Sequence, residues 1–338
     1  MSLNAIIRLQ FSPLNDPGGL DISDNDRIEV RSPATVANMV CGFDVLGFAV
    51  EEPYDTMHLR LKDEPGIAIV HEDHYGLSVD PLQNVAGVAL LAMLEEIGRQ
   101  DIGLELRINK QIKPGSGVGS SAASAAGAVV AANELLQQSF SKADLVRFAM
   151  HGEKLASGVK HADNIAPCIY GGVTLIRSIF PLDIVTLPAP DLYVTIVHPQ
   201  IEVRTSDARS ILRQHILLRD AIRQWGNIAG LVAGLLKNDH DLIGRSLEDV
   251  LIEPVRSILI PGFDDVKRRS KSAGALGGGI SGSGPSIFML STEEKTAEAV
   301  GAEMRAIYTA IGLEHHTYVT RICSAGITMN RHKPNSNH

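Results

Sequence analysis

The sequence predicts an α+β fold in two domains, and three observations predict it. In the first half an alternating run, Leu104-Glu105-Leu106-Arg107-Ile108, leads into the glycine loop Pro114–Gly119 and then an alanine-rich helix. Near the middle, Pro188-Ala189-Pro190 separates two apolar strand-like runs and reads as a domain boundary. Beyond it the expected elements follow the order β, α, β, β, α, β with extra helices, the layout of a ferredoxin-like split βαβ unit. A chain of 338 residues is long enough for both units.

Residues 1–26 lack a sustained hydrophobic period and read as an extension, with Ala5–Phe11 apolar enough for an edge strand. Arg27–Arg31 alternates as a strand that Ser32-Pro33-Ala34-Thr35 is expected to end. Phe48–Val50, Thr56–Leu61 and Ile67–Val70 read as a meander of strands, and Leu82–Gly98 as a helix stopped by its glycine. The loop helix spans Ser121 to about Leu136, its propensity supplied by alanine. Ser141-Lys142-Ala143-Asp144 resembles a capping box for a helix reaching Ala156. In the second domain Leu192–Val197 is a strand, and helices fill Ser206–Ser257 with breaks near Gly226 and Asn238. A helix over Phe263–Ser272 follows. Strands at Ala275–Leu276 and Ser286–Leu290 flank a second glycine cluster, and Glu293–Ile311 is a helix before a last strand, Thr317–Ile322. The polar tail Arg331–His338 carries no pattern. The expected organisation is thus an extension (1–26), a first domain (27–188), a second domain (189–330) and a tail (331–338).

The loop Pro114-Gly115-Ser116-Gly117-Val118-Gly119-Ser120-Ser121 carries the chemistry. Alternate glycines can take positive φ and leave backbone N–H groups uncovered, and Ser120 or Ser121 can cap the helix that follows. Free N–H groups at a helix N-terminus, with the helix dipole behind them, suit a phosphate. The loop is neither of the two commonest phosphate loops. It lacks the Gly-Lys-Ser/Thr ending of a Walker A motif, and its Gly-x-Gly-x-Gly spacing is not the dinucleotide fingerprint.

Composition narrows the partners. A formal net charge of −8 disfavours nucleic acid or an anionic membrane as a bulk partner, and 4% aromatic residues leave few stacking platforms. Cys41, Cys168 and Cys323 have neither metal nor disulfide spacing and read as reduced cytosolic thiols. No run is apolar for long enough to span a bilayer, and no signal peptide is expected.

Several polar residues stand out of apolar surroundings. Asn38 and Asp44 lie in Val36–Gly47, either as turn formers or as an amide and a carboxylate offered to a small polar ligand. Glu153 falls at the edge of a buried helix face, either with its head in water or aimed at a cation near the phosphates. His161, Asp163 and Asn164 follow within a few residues, as a loop or a site. Arg209 and Arg256 are surface ion-pair residues or bidentate anion binders. The cluster Gly277–Pro285 is a tight hairpin or a second backbone cradle closing over the first.

Read together, these motifs resemble the GHMP kinases, named for galactokinase, homoserine kinase, mevalonate kinase and phosphomevalonate kinase. Pro114–Ala123 is similar to the family's second motif, with Val118 where leucine is usual, and Gly277–Pro285 to its third. Ser32–Gly47, Lys160–Pro167, Arg204–Arg209 and Glu253–Arg256 resemble the branch that phosphorylates the side-chain hydroxyl of L-homoserine. The likeness runs from about Arg27 to Thr328.

The resemblance implies an N-terminal domain like ribosomal protein S5 domain 2, a ferredoxin-like C-terminal domain, and a cytoplasmic homodimer using ATP and Mg²⁺. By residue, it implies that Pro114, Gly115, Ser116, Gly117, Val118, Gly119, Ser120 and Ser121 hold ATP, and that Ser121 (or Ser120) and Glu153 hold the metal. Asp44 would take the substrate ammonium, Asn38 its hydroxyl region, and Arg209 and Arg256 its carboxylate, with His161 and Thr205 beside them. Asn38, Glu153, His161 and Asn164 form the catalytic set. Many GHMP kinases place a basic aspartate where Asn164 stands, so this chain is expected to work by positioning and charge stabilisation, with Asp163 not the base. Another GHMP kinase of small hydroxylated metabolites, or a non-catalytic binding protein of the same fold, is the alternative.

Overall fold

The computed structural model describes residues 27–203 and 205–332. The expected strand Ala5–Phe11, Arg204 of the Arg204–Arg209 motif and tail residues 333–338 lie outside the described residues. Strand β1 (Arg27–Ala37) does not stop at Ser32-Pro33 but continues to Ala37. Its register against β2 (Leu46–Lys62) shifts between Pro33 and Thr35, so the proline, which cannot donate to the ladder, sits at an irregularity. β2 is one 17-residue strand where the sequence suggests two, because its start pairs with β5 (Val173–Ile179) and its end with β4 (Gly103–Asn109).

β3 (Gly66–His71) does not continue a meander. It pairs parallel with β4, and a parallel pair needs a crossover, supplied by helix α1 (Val85–Glu96). Asn84 caps α1, accepting from the N–H groups of Ala86 and Gly87. Helices α2 (Ser120–Leu135), α3 (Lys142–Ser157) and α4 (Ile165–Tyr170) follow, and β6 (Leu182–Leu187) pairs with β5. The predicted capping box is present: Ser141 and Asp144 exchange bonds at the start of α3. Small side chains bury nearly all of α2, which packs against α1, α3, β1 and β2. Leu46, Phe48, Met57, Leu59, Leu90, Met93 and Leu104 fill the core beneath it.

Past Pro188-Ala189-Pro190, β7 (Tyr193–Pro199) begins a second sheet. Helices α5 (Thr205–Ser210), α6 (Leu218–Lys237), α7 (His240–Ser246), α8 (Glu253–Arg256) and α9 (Phe263–Ser272) intervene before β8 (Gly277–Ile280) and β9 (Ile287–Ser291). Helix α10 (Glu294–Ile311) and β10 (His315–Arg321) complete it. The order β10-β7-β9-β8, antiparallel throughout, is the ferredoxin-like arrangement that the element order predicts. Helix α6 runs through Gly226, which is exposed; glycine there costs the helix about 1 kcal/mol against alanine without ending it. Asn238, at φ 53°, ends it as expected. The glycine cluster does not sit between strands: its first part is itself strand β8.

The last strand is also later than predicted. β11 (Thr328–His332) crosses back to the first sheet and pairs antiparallel with β1, so among the described residues the sheet has seven strands, and Arg331 and His332 are not tail. The physical reason is the open edge of β1, whose unpaired backbone groups β11 satisfies.

Candidate active site

A cavity of about 440 Å³ opens where the α2 N-terminus, the 38–44 turn, α3, α5 and the second glycine cluster meet. Gly119, at φ 73°, is the N-cap of α2 and offers no side chain. The predicted serine caps are therefore displaced into the first helical turn, where each has another partner. Ser120 Oγ donates to the Ile112 carbonyl (2.8 Å) and Ser121 Oγ to Glu153 Oε2 (2.9 Å). Gly115, Gly117 and Gly119 all have positive φ and line the cavity with Pro114, Ser120 and Ser121. Ser116 and Val118 are buried on the opposite side of the loop, so of the predicted loop residues their side chains do not reach this cavity.

Glu153 projects from α3 and is only 8% exposed. Burial pushes its carboxyl from 4.5 up to about 7, against the pull of the Ser121 and Ser157 hydrogen bonds and the Arg209 charge. No group of three or more His, Cys, Asp or Glu able to cage a metal occurs among the described residues. A desolvated carboxylate joined to a hydroxyl beside a phosphate cradle nevertheless fits Mg²⁺, which needs one or two protein oxygens when phosphate oxygens supply the rest.

The 38–44 turn is held by its own polar side chains. Asn38 Nδ2 donates to the Gly282 carbonyl (2.8 Å), and Asn38 Oδ1 accepts from the Asp44 N–H (3.0 Å). Asn38, Met39, Val40 and Asp44 all have positive φ, at 71°, 40°, 65° and 60°. Left-handed geometry at a β-branched residue costs of order 1–3 kcal/mol, and such strain clusters at ligand sites. It aims the Asp44 carboxylate at Arg209, whose guanidinium bonds both oxygens (2.9 and 3.2 Å).

His161 Nδ1 lies 3.6 Å from Asp44 Oδ1, while its Nε2 is buried in the site with no partner. Burial lowers its pKa, the Asp44 charge opposes that, and Arg209 and Arg256 reinforce it. Arg256, 3% exposed, donates to the carbonyls of Ala208 (3.0 Å) and Gly282 (3.2 Å). Burial and then the Arg209 charge lower its pKa to about 10, which leaves it cationic at neutral pH. Thr205 Oγ1 meets Ser283 Oγ at 3.2 Å. Asn164 Oδ1 accepts from Thr35 Oγ1 (2.8 Å). Asp163 lines the same cavity, 4% exposed, its carboxyl raised to about 8 by burial and by the charges of Asp44 and Glu153.

Every other predicted site residue lines this one cavity. Sequence reasoning missed two contributors. Phe43 presents its ring to both guanidinium groups, 5.3 Å from Arg209 and 4.9 Å from Arg256. Lys110 is buried beneath the loop, ion-paired to Asp55 and donating to the Ser120 carbonyl and Ser124 Oγ. Nothing local distinguishes a phenylalanine in an apolar turn or a lysine at a strand end; their roles depend on distant partners.

The chain matches family models for the GHMP kinases N-terminal domain over residues 84–172 and the GHMP kinases C-terminal region over residues 231–310. It is 48% identical over 308 residues to the homoserine kinase of Chlorobium phaeobacteroides, covering 87% of this chain and 96% of that one. Against the homoserine kinase of Methanocella arvoryzae it is 40% identical, covering 90% and 98%. The crystal structure of homoserine kinase from Cytophaga hutchinsonii superposes with a TM-score of 0.87 at 50% identity, over 91% of this chain and 98% of that one. L. major mevalonate kinase, at 16% identity and a TM-score of 0.67 over 86% of this chain and 94% of that one, shares the fold.

Proposed function

The chain belongs to the homoserine kinase family of the GHMP kinases, and from that premise we propose how its site works. It transfers the γ-phosphoryl group of ATP to the side-chain hydroxyl of L-homoserine, giving O-phospho-L-homoserine and ADP on the route to threonine. The observation that carries the substrate assignment is the Asp44–Arg209 pair. In this pair each charged group is satisfied by the other. L-homoserine brings an ammonium to replace the guanidinium at Asp44 and a carboxylate to replace Asp44 at Arg209. Arg256, the open Nε2 of His161, Thr205 and Asn38 lie within the same cavity to complete the hold. Mevalonate has no ammonium to offer Asp44.

The ATP phosphates rest against the backbone N–H groups of Gly115–Ser121, at the positive end of α2. Ser121 and Glu153 would hold Mg²⁺, which supplies charge neutralisation at the phosphates. In transfer, the homoserine oxygen forms a bond to the γ-phosphorus as the bond to the β-phosphate oxygen breaks, ADP leaving with that electron pair and the hydroxyl proton passing to an oxygen of the transferred phosphoryl group. Asn164, an amide tied to Thr35, cannot accept a proton. A loose transition state places little demand on a base at the attacking oxygen, so alignment by Asn38 and Asn164 and charge stabilisation by the cradle suffice. No helix among the described residues is long and apolar enough to cross a membrane. We take the enzyme to be a cytoplasmic homodimer with no nucleic-acid or membrane partner; light scattering in solution checks the dimer.

A coupled assay of ADP release with L-homoserine, D-homoserine, mevalonate and galactose tests the substrate. Turnover is expected with L-homoserine alone. Asp44→Asn is expected to lower kcat/KM for L-homoserine by about 10²-fold or more, the effect of stranding a charge, with ATP affinity changed less than about threefold. Equal losses for both substrates would remove Asp44 from amine recognition.

A further inference from the structure

A second cavity, of about 240 Å³, lies behind the phosphate loop, on the side to which Ser116 turns. Its wall is built from both sheets, and six residues define its chemistry: Lys113 and Ser116 before and within the loop, His198 on β7, Ser286 just before β9, and His316 and Tyr318 on β10. Ser116 is 2% exposed and Ser286 0%, and neither hydroxyl has a hydrogen-bond partner. Their backbones are joined, the Ser286 N–H donating to the Ser116 carbonyl at 3.2 Å. Two orphaned hydroxyls at one wall carry an uncompensated desolvation cost, which a ligand in the cavity would remove.

The other groups set the sign of that ligand. Lys113 Nζ donates to Gln200 Oε1 (2.6 Å), a neutral partner, and has no ion pair among the described residues. Gln200 Nε2 in turn faces His198 Nδ1 (3.2 Å). Burial, with the Lys113 and His316 charges, holds His198 neutral with a pKa of about 4. A neutral imidazole whose Nδ1 accepts from the glutamine amide carries its proton on Nε2. Among the described residues, the cavity wall contains an ammonium, hydroxyls and imidazoles, and no carboxylate.

We propose that this cavity binds a small organic anion, a phosphate ester or a carboxylate, held by Lys113 and by the Ser116 and Ser286 hydroxyls. Its volume suits a molecule larger than a bare phosphate. The site is distinct from the substrate cavity, since Ser116 and Val118 line it while Gly115, Gly117 and Gly119 line the other. Its occupant would brace the loop from behind. That coupling rests on the loop being the ATP site; the binding itself does not.

Calorimetry tests this on the full chain saturated with Mg²⁺, the non-hydrolysable ATP analogue AMP-PNP and L-homoserine, so that both the nucleotide and the amino-acid parts of the front cavity are filled. AMP-PNP binding is measured first, and a failed ATP reading would show there. Inorganic phosphate and malonate are then titrated separately. At least one probe is expected to bind at a single site, weakened about tenfold or more by Lys113→Gln and measurably by His316→Leu, a substitution at an exposed position. Phosphate binding alone assigns a phosphate ester, and malonate binding alone a carboxylate. Phosphate is also expected to change the KM for ATP in the wild type more than in His316→Leu, whereas competition at the front cavity would act equally on both. No binding of either probe to the nucleotide-saturated protein, or unchanged affinity in both variants, overturns the proposal.

Discussion

The two glycine clusters look alike in the sequence and are glycine-rich for different reasons. In the loop before α2, Gly115, Gly117 and Gly119 occupy positive φ, and the chain needs them for backbone shape. In β8, Gly277–Gly279 form an ordinary strand, and the chain needs them for space. A Cβ on Gly278 would lie 2.0 Å from the carbonyl oxygen of Phe288 on the paired strand, and one on Gly279 would lie 2.0 Å from Glu253 Oε2. The first cluster lines the cavity with bare backbone; the second lets one strand and a buried carboxylate come close.

Each cluster also adjoins one buried glutamate, and the contrast repeats. Glu253 is ion-paired to Lys267, a cation built into the protein. Among the described residues, Glu153 has only hydroxyl partners and the more distant Arg209 charge. The structural cluster thus carries its own cation, although burial still raises the Glu253 pKa; under the proposed function the other would receive its cation with the phosphates.

The sharpest way to break this comparison is Gly119→Ala. Its Cβ would lie 2.0 Å from Thr35 Oγ1 and 3.0 Å from Asn164 Oδ1, in a backbone at φ 73°. Displacing the helix start by even an ångström is expected to lower kcat/KM by about 10²–10³-fold. A steady-state assay on protein of checked Tm reads this, and a change under threefold would mean that the cradle's shape is not what matters.

Gly278→Ala should act on stability instead. The obstruction is backbone of the adjacent strand, which no rotamer change relieves, so a loss of about 3 kcal/mol in urea unfolding is expected. Activity per folded molecule should fall far less than for Gly119→Ala.

These two substitutions also mark what the sequence could reveal. Both clusters were visible as clusters, and so was the fold, because strand–loop–helix order and the βαββαβ layout are local patterns. The reasons for the glycines were not visible, since Thr35, Asn164 and Phe288 are remote in sequence. Pairing choices failed similarly: β3 joins β4 in parallel and β11 joins β1, neither of which periodicity encodes. Asn38 and Asp44 were legible as odd polar residues in an apolar run. The positive φ of Met39 and Val40 was not, because their side chains argue against it.

The glutamate contrast predicts a pH effect of intermediate size. The Glu153 carboxyl has a pKa near 4.5 when unfolded and about 7 when folded. The folded state therefore holds the proton more tightly between those values. Its favourable contribution is complete below about pH 4.5 and is lost as pH rises through about 7. Glu153→Gln, which cannot ionise, should gain roughly 2 kcal/mol relative to wild type between pH 5 and 8 without metal. Thermal melts across that range measure it, and Mg·ATP should narrow the gap by restoring a partner to the carboxylate. A pH-independent difference would mean that Glu153 is already compensated within the protein.

The smallest expected effect separates conformation from space within the loop itself. Gly115 shares the φ of Gly119, 73°, but a Cβ there would meet nothing within 4 Å. Gly115→Ala therefore adds only the cost of a left-handed alanine, about 1–2 kcal/mol, partly offset by a less flexible unfolded chain. Stability should drop by about 1 kcal/mol and kcat/KM by no more than about tenfold, with the loss in the KM for ATP because the loop N–H groups shift slightly. If Gly115→Ala proved as damaging as Gly119→Ala, positive φ alone would govern the cradle and the Thr35–Asn164 contact would be incidental. If it were silent in both readouts, the N-terminal end of the loop would not touch the phosphates, and the cradle would begin at Gly117.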